Sequence, residues 1–145
     1  MNLNFKEITK ENWEKCVDLT VSKEQANFVA PNWYSILQSK FESDFYPLCI
    51  YDGDVMIGFL MYDIDPDTKR HEMSRLMIDH KFQGKGYGKI AITKLLELIR
   101  NKYGNINFYT SIEPNNIGAQ KLYESLGFKK TGEIMWDEVV MVVKL

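Results

Sequence analysis

Gln83-Gly84-Lys85-Gly86-Tyr87-Gly88-Lys89 is the stretch of this 145-residue chain on which the reading of the fold turns. Before it, Glu72 to Ile78 has the character of a strand. After it, Ala91, Leu95, Leu98 and Ile99 recur at helical period with Lys94, Glu97 and Arg100 on the opposite side, which predicts a long helix ended by Tyr103-Gly104. A glycine-rich turn leading from a strand into a helix presents unpaired backbone N–H groups and the positive end of the helix dipole, a combination that holds a phosphate or pyrophosphate. Lys85 and Lys89 add charge of the right sign. Spacing excludes two common nucleotide sites. Gly84, Gly86 and Gly88 are arranged GxGxG where a dinucleotide fold needs GxGxxG, and a P-loop needs glycine at 83 and Ser or Thr at 90, where Gln83 and Ile90 stand.

Working outward, Asn107 to Ile112 predicts a buried strand, Glu113 to Asn116 a turn and cap, and Ile117 to Leu126 a helix closed by Gly127 with Phe128 packing back on its last turn. Two further strands are expected over Lys129 to Ile134 and Val139 to Lys144. Upstream, Leu48 to Tyr51 and Val55 to Tyr62 flank Asp52-Gly53, the dipeptide of a tight hairpin turn. Leu3 to Ile8 predicts a first strand, Thr9 to Leu19 a helix, and Pro31 or Asn32 the start of a second helix that runs to Glu42. Residues 63–69 are polar and contain Pro66, which predicts a loop. The order is β-α-α-β-β-β-α-β-α-β-β: a single α/β domain over 1–145 with a mixed β-sheet, antiparallel first and then crossing over through a helix. Ligands of such sheets collect at strand C-termini.

Composition narrows the function. Eighteen Lys and Arg against twenty Asp and Glu give a net charge of −2, which lacks the basic surface that nucleic acid requires. No leader-like N-terminus and no apolar run of about 18 residues is present, so a cytoplasmic protein without membrane contact is expected. Cys16 and Cys49 have neither zinc-ligand nor disulfide-framework spacing. Asp63, Asp65 and Asp67 imitate the start of a calcium loop, but Thr68 and Ser74 stand where glycine and glutamate are required, and no metal is expected. His71 and His80 have no catalytic context and are expected on the surface.

Arg75-Leu76-Met77-Ile78 followed by Gln83-Gly84-Lys85-Gly86-Tyr87-Gly88 resembles the acetyl-CoA motif Q/R-x-x-G-x-G/A of the GCN5-related N-acetyltransferases. Downstream, Asn116-Ile117-Gly118-Ala119-Gln120-Lys121-Leu122-Tyr123, ending in Leu126-Gly127-Phe128, resembles the N-x-x-A-x-x-x-Y…GF helix of that family. The resemblance implies a mixed sheet of the acyl-CoA N-acyltransferase type, with acetyl-CoA as co-substrate. The pantetheine arm would bond to the backbone of Leu76, Met77 and Ile78 between two splayed strands. The pyrophosphate would rest on the turn Gln83, Gly84, Lys85, Gly86, Tyr87, Gly88 and Lys89. Asn116 would either contact the arm or simply cap its helix.

Moving an acetyl group from a thioester to an amine requires a neutral nitrogen, stabilisation of a tetrahedral oxyanion and a proton for the departing thiolate. Tyr123 is the candidate acid, because a phenol stays protonated at neutral pH; the competing reading is a core tyrosine on the stripe Ala119, Leu122, Tyr123, Leu126. For the base, some polyamine acetyltransferases of the family carry an acid where this chain has Ser74, so Glu72 is the leading candidate and Glu113 the other. The segment Val21 to Asn32, with Tyr51-Asp52-Gly53-Asp54 and Gly58 to Tyr62, resembles the bacterial spermine/spermidine acetyltransferases and implies a polyamine acceptor. Asn32, Trp33, Tyr34 and Glu42 are candidates for its channel, since acidic and aromatic groups suit a polycation. Another amine, an amino acid, a protein N-terminus or a coenzyme-binding module without catalysis are the alternatives. A homodimer is compatible with the apolar strand Val139 to Val143.

Overall fold

The computed structural model describes residues 1–26 and 28–145; Asn27, part of the stretch 21–32 quoted above, lies outside them. The elements are β1 (Leu3–Glu7), α1 (Trp13–Asp18), α2 (Asn32–Phe41), β2 (Phe45–Asp52), β3 (Val55–Ile64), β4 (His71–Ile78), α3 (Tyr87–Tyr103), β5 (Asn107–Ile112), α4 (Ile117–Ser125), β6 (Lys129–Met135) and β7 (Glu138–Lys144). Short 3-10 turns occupy Lys23–Gln25 and His80–Phe82. The strands form one seven-stranded sheet in the order β1-β2-β3-β4-β5-β7-β6. Only β4 and β5 are parallel, as the crossover through α3 requires.

Local chemistry accounts for the helix ends. Gly86, at φ 87°, turns the chain into α3, and Gly104, at φ 85°, ends it while donating its N–H to the Arg100 carbonyl. The end of α4 is a Schellman stop: the Phe128 N–H reaches the Tyr123 carbonyl and the Gly127 N–H that of Glu124. Packing divides into two layers. Ala91, Ile92, Leu95 and Ile99 of α3 bury one stripe against Leu60, Phe108, Phe128 and Met141, each aliphatic chain stabilising the fold by ~1.5–3 kcal/mol. Cys16 of α1, with Cys49, Phe59, Met61 and Met77, forms the second layer; both cysteines are buried free thiols.

Three expectations are corrected. The first helix begins at Trp13 rather than Thr9, because the Thr9 N–H bonds to the Asn12 side chain and residues 9–12 close a turn instead. The loop expected over 63–69 is shorter: β3 continues through Ile64, since alternation after Phe59 and Met61 carries Asp63 inward to 2% exposure. His71 opens β4 and packs its ring 4.3 Å from that of Tyr103, half-buried rather than on the surface. The apolar strand 139–143 lies inside the sheet, between β5 and β6, so its own chain covers it. Among the described residues, no helix is long and apolar enough to cross a membrane.

The feature that positions the site is a bulge. Met61 pairs with Arg75 and Tyr62 with Met73, which leaves Ser74 without a partner on β3. A bulged strand bends and twists more strongly. Pairing of β4 with β5 stops at Met73 and Thr110, just before that bulge, and the two strands part beyond it.

Candidate active site

A cleft of about 710 Å³ opens where β4 and β5 diverge. Leu76, Met77 and Ile78 form one wall, Thr110, Ser111 and Ile112 the other, and Gly84, Gly86, Tyr87 and Gly88 border it. On the β3 side the three β4 residues pair with Leu60, Phe59 and Gly58, whereas no strand pairs with them on the cleft side. An extended polar chain can therefore add to that free edge.

The turn before α3 is shaped for an anion. Gly84 and Gly86 have φ of 77° and 87°, and a Cβ at either would meet nothing within 4 Å, so the turn is open on the side of these two residues. Gly86 supplies no side-chain cap. The first-turn N–H groups of Tyr87, Gly88 and Lys89 consequently lack helical acceptors. Two of the expected contacts are changed by side-chain geometry. Tyr87 turns inward, 8% exposed, and its hydroxyl bonds to Asp52, so only its amide serves the turn. The Gln83 Nε2 donates to Gln25 Oε1 at 2.7 Å and to the Ile78 carbonyl at 2.9 Å, latching the α1–α2 connection to the end of β4. Lys85 and Lys89 stay exposed. Asn116 caps α4, its Oδ1 accepting from the Ala119 N–H at 3.2 Å, while the residue also lines the cleft.

Tyr123 reaches the cleft from α4, buried to 6% exposure, with its ring 5.4 Å from that of Phe128. Burial pushes its phenol up to about 12, an effect opposed by a hydrogen bond with Thr110 and reinforced by the charge of Glu138. The phenol is thus fully protonated at neutral pH and directed at the place where the strands part.

Glu72 is assembled into a constellation that spacing alone did not reveal. It pairs across strands with Asp63, and carboxylate oxygens of Asp63, Asp65 and Glu72 all lie within 4.8 Å of one another. Burial, then repulsion from Asp63 and Asp65, raises Glu72 to about 8. Asp63 is raised to about 7, chiefly by burial, with Asp65 and Glu42 adding to the shift and Ser74 and Arg75 opposing it. One Asp63 oxygen, Oδ1, is buried with no hydrogen-bond partner among the described residues. Ser74 and Arg75 connect this trio to the cleft, because both line it and both act on Asp63. Glu72 itself is not among the cleft-lining residues; Glu113 is.

The acceptor candidates on α2 lie outside the cleft. Asn32 is buried and donates to the Cys16 carbonyl at 2.9 Å, tying α2 to α1. Trp33 and Tyr34 lie on the outer surface of α2, 53% and 49% exposed, and Glu42 is exposed at its end, where it accepts from Gln38. None of the four lines the cleft. Sequence reasoning missed Asp63, Asp65, Ser111 and Glu138. For Asp63 a signal existed in the continued alternation of β3; Ser111 and Glu138 are brought together by strand pairing, and Asp65 by the loop that follows β3.

Comparison with known proteins gives the family and the fold. The acetyltransferase (GNAT) family profile matches residues 5–128. The spermine/spermidine N(1)-acetyltransferase of Bacillus subtilis is 33% identical over 152 aligned positions covering all of both chains. The spermidine N-acetyltransferase of Vibrio cholerae, solved with CoA and spermine, superposes with a TM-score of 0.77 at 17% identity over 99% of this chain and 95% of that one. An aminoglycoside acetyltransferase solved with coenzyme A superposes with a TM-score of 0.79 at 16% identity, again over 99% and 95%.

Proposed function

The chain belongs to the GNAT acetyltransferase family, as an acetyl-CoA-dependent N-acetyltransferase, and we propose that its acceptor is a primary amine of a polyamine such as spermidine or spermine, acetylated in the cytoplasm. The observation that carries this reading is the buried carboxylate trio Asp63, Asp65 and Glu72, joined to the cleft through Ser74. Three carboxyl groups packed together out of water are costly when ionised, and a polyvalent ammonium ligand offsets that cost. A neutral or anionic acceptor would not. The B. subtilis relative, named for spermine and spermidine, supports the same choice.

Each residue then has a task. The amides of Gly84 to Lys89 hold the pyrophosphate of the co-substrate, and the free edge of Leu76, Met77 and Ile78 receives its pantetheine arm, with Asn116 beside it. This arrangement brings the thioester to Tyr123. The phenolic proton of Tyr123 passes to sulfur as the C–S bond breaks, so that a neutral thiol leaves. Glu72, with Asp63 and Asp65 beside it, holds an ammonium group of the acceptor, and Glu72 and Asp63 give up the protons that burial otherwise keeps on them.

Incubating the protein with acetyl-CoA and a panel of polyamines, aminoglycosides, amino acids and peptides, scored by product mass, tests the reading. Acetylated polyamine and released thiol are expected. Tyr123→Phe should lose about a hundredfold or more of that rate while binding CoA undiminished in calorimetry. Acetylation of peptides alone would overturn the polyamine assignment, and full activity of the Tyr123→Phe enzyme would remove the phenol from the mechanism.

A further inference from the structure

The trio lies beyond Ser74, and the carboxylate whose charge acts on the Tyr123 phenol belongs to a different strand. Glu138, the first residue of β7, lines the cleft together with Tyr123, Thr110 and Ser111. The Ser111 hydroxyl donates to Glu138 Oε1 at 2.7 Å; the second carboxylate oxygen has no hydrogen bond among the described residues. The backbone holds this carboxylate firmly. Trp136 and Asp137, at φ 53° and 61°, form the two-residue turn that pairs Met135 with Glu138. The hairpin is braced in turn by the ion pair of Glu133 with Arg70 at 3.1 Å.

Register relates the two acidic stations. Glu72 is opposite Tyr109 on β5, and Ser111, which carries Glu138, is two residues further along the same strand. Tyr109 and Ser111 are roughly 7 Å apart along the backbone and face the same side of the sheet, so the two acidic stations lie on one side of it. We propose that Glu138, positioned by Ser111, accepts the proton of the nitrogen that is acetylated, while the trio holds the neighbouring ammonium of the same molecule.

The proposal rests on the polyamine reading and adds to it the identity of the base. The step balances as follows: the acceptor ammonium gives one proton to the Glu138 carboxylate, and the freed nitrogen forms its bond to the acetyl carbon. The C–S bond breaks with its electron pair going to sulfur, which takes the Tyr123 proton. The nitrogen sheds its second proton to the phenolate as the amide forms, and the Glu138 proton leaves to solvent through the open mouth. The titratable groups that share the cleft with Glu138 are Tyr123 from α4, Tyr87 from α3, Arg75 from β4 and Glu113 from the turn after β5; Asp137 and Glu133 lie on its own hairpin.

The test is the pH dependence of kcat/KM for spermidine in wild type, Glu138→Gln, Glu138→Asp and Ser111→Ala, with calorimetric CoA binding measured on each. Glu138→Gln should lower the rate about a hundredfold and flatten the acidic limb, with CoA affinity unchanged. Glu138→Asp should recover part of the rate. Ser111→Ala removes the hydrogen bond that positions the carboxylate, so kcat should fall about tenfold while the spermidine KM and CoA affinity hold. Should Glu138→Gln fail to fold, that split between kcat and KM decides the matter. A Glu138→Gln enzyme with wild-type rate and limb, or a Ser111→Ala enzyme with wild-type kcat, overturns the proposal. Wild-type protein that acetylates another amine but not spermidine refutes the polyamine reading instead, and the Glu138 assignment then stands or falls on the same limb measured with that amine.

Discussion

The glycine turn and the acidic groups near the cleft are built on opposite principles. At the proposed coenzyme site, Gly84 to Lys89 belong to one contiguous turn, with no side-chain cap and no atom within 4 Å of a Cβ at Gly84 or Gly86. At the proposed acceptor site, Asp63, Asp65 and Glu72 arrive from β3, the loop after it and β4, and Glu138 arrives from β7. The first offers a ligand backbone dipoles, and the second side-chain charges partly withdrawn from water. The first depends on local chain geometry and tolerates changes elsewhere; the second depends on strand register and on the bulge at Ser74.

Three measurements sharpen that contrast. The largest effect is expected from Asp63→Asn combined with Glu72→Gln: at least about a thirtyfold rise in KM for spermidine, since charge partners are removed from a buried ammonium site, with calorimetric acetyl-CoA affinity unchanged. An equal loss of coenzyme affinity would show that the two sites are not separable. Gly86→Ala should produce the reverse pattern. Its φ of 87° is costly for any residue with a Cβ by about 1–2 kcal/mol, so coenzyme binding should weaken roughly tenfold while the spermidine KM stays put.

The smallest effect concerns pH and stability. Folded Glu72 and Asp63 hold their protons to about 8 and about 7, well above ordinary carboxylates. The native state then binds more protons than the unfolded chain between those values and about pH 4, so stability falls as pH rises through this window. Melting temperature without ligand should decline by several degrees between pH 5 and pH 8.5 in wild type, and much less in the Asp63→Asn, Glu72→Gln double variant. Identical slopes in the two proteins would mean that Asp63 and Glu72 are ionised throughout.

Much of the fold was legible because its signals are local. Gly127 followed by Phe128 predicts the Schellman stop that closes α4, and Asp52-Gly53 the hairpin between β2 and β3. Errors arose where a side chain competed with the backbone or where distance along the chain hid a neighbour. The Asn12 side chain takes the Thr9 N–H and delays α1. Pro66 suggested a polar loop from residue 63, yet pairing with Glu72 draws Asp63 into the sheet. On α2 the pattern of Trp33 and Tyr34 was clear, but which surface that helix turns toward the sheet depends on the Asn32 bond to Cys16 and not on periodicity.

By itself, then, the order of residues determined the glycine-rich turn before α3, the succession of elements and the family, because each rests on preferences and motifs acting over a few neighbours. Tertiary structure alone decided which carboxylates meet beside the cleft, that Tyr87 spends its hydroxyl on Asp52, and that Glu138 rather than a residue of α2 borders the Tyr123 cleft. The physical reason is strand register. A shift of one position turns a side chain to the other face of the sheet, and no local preference records which of two distant strands will lie beside it.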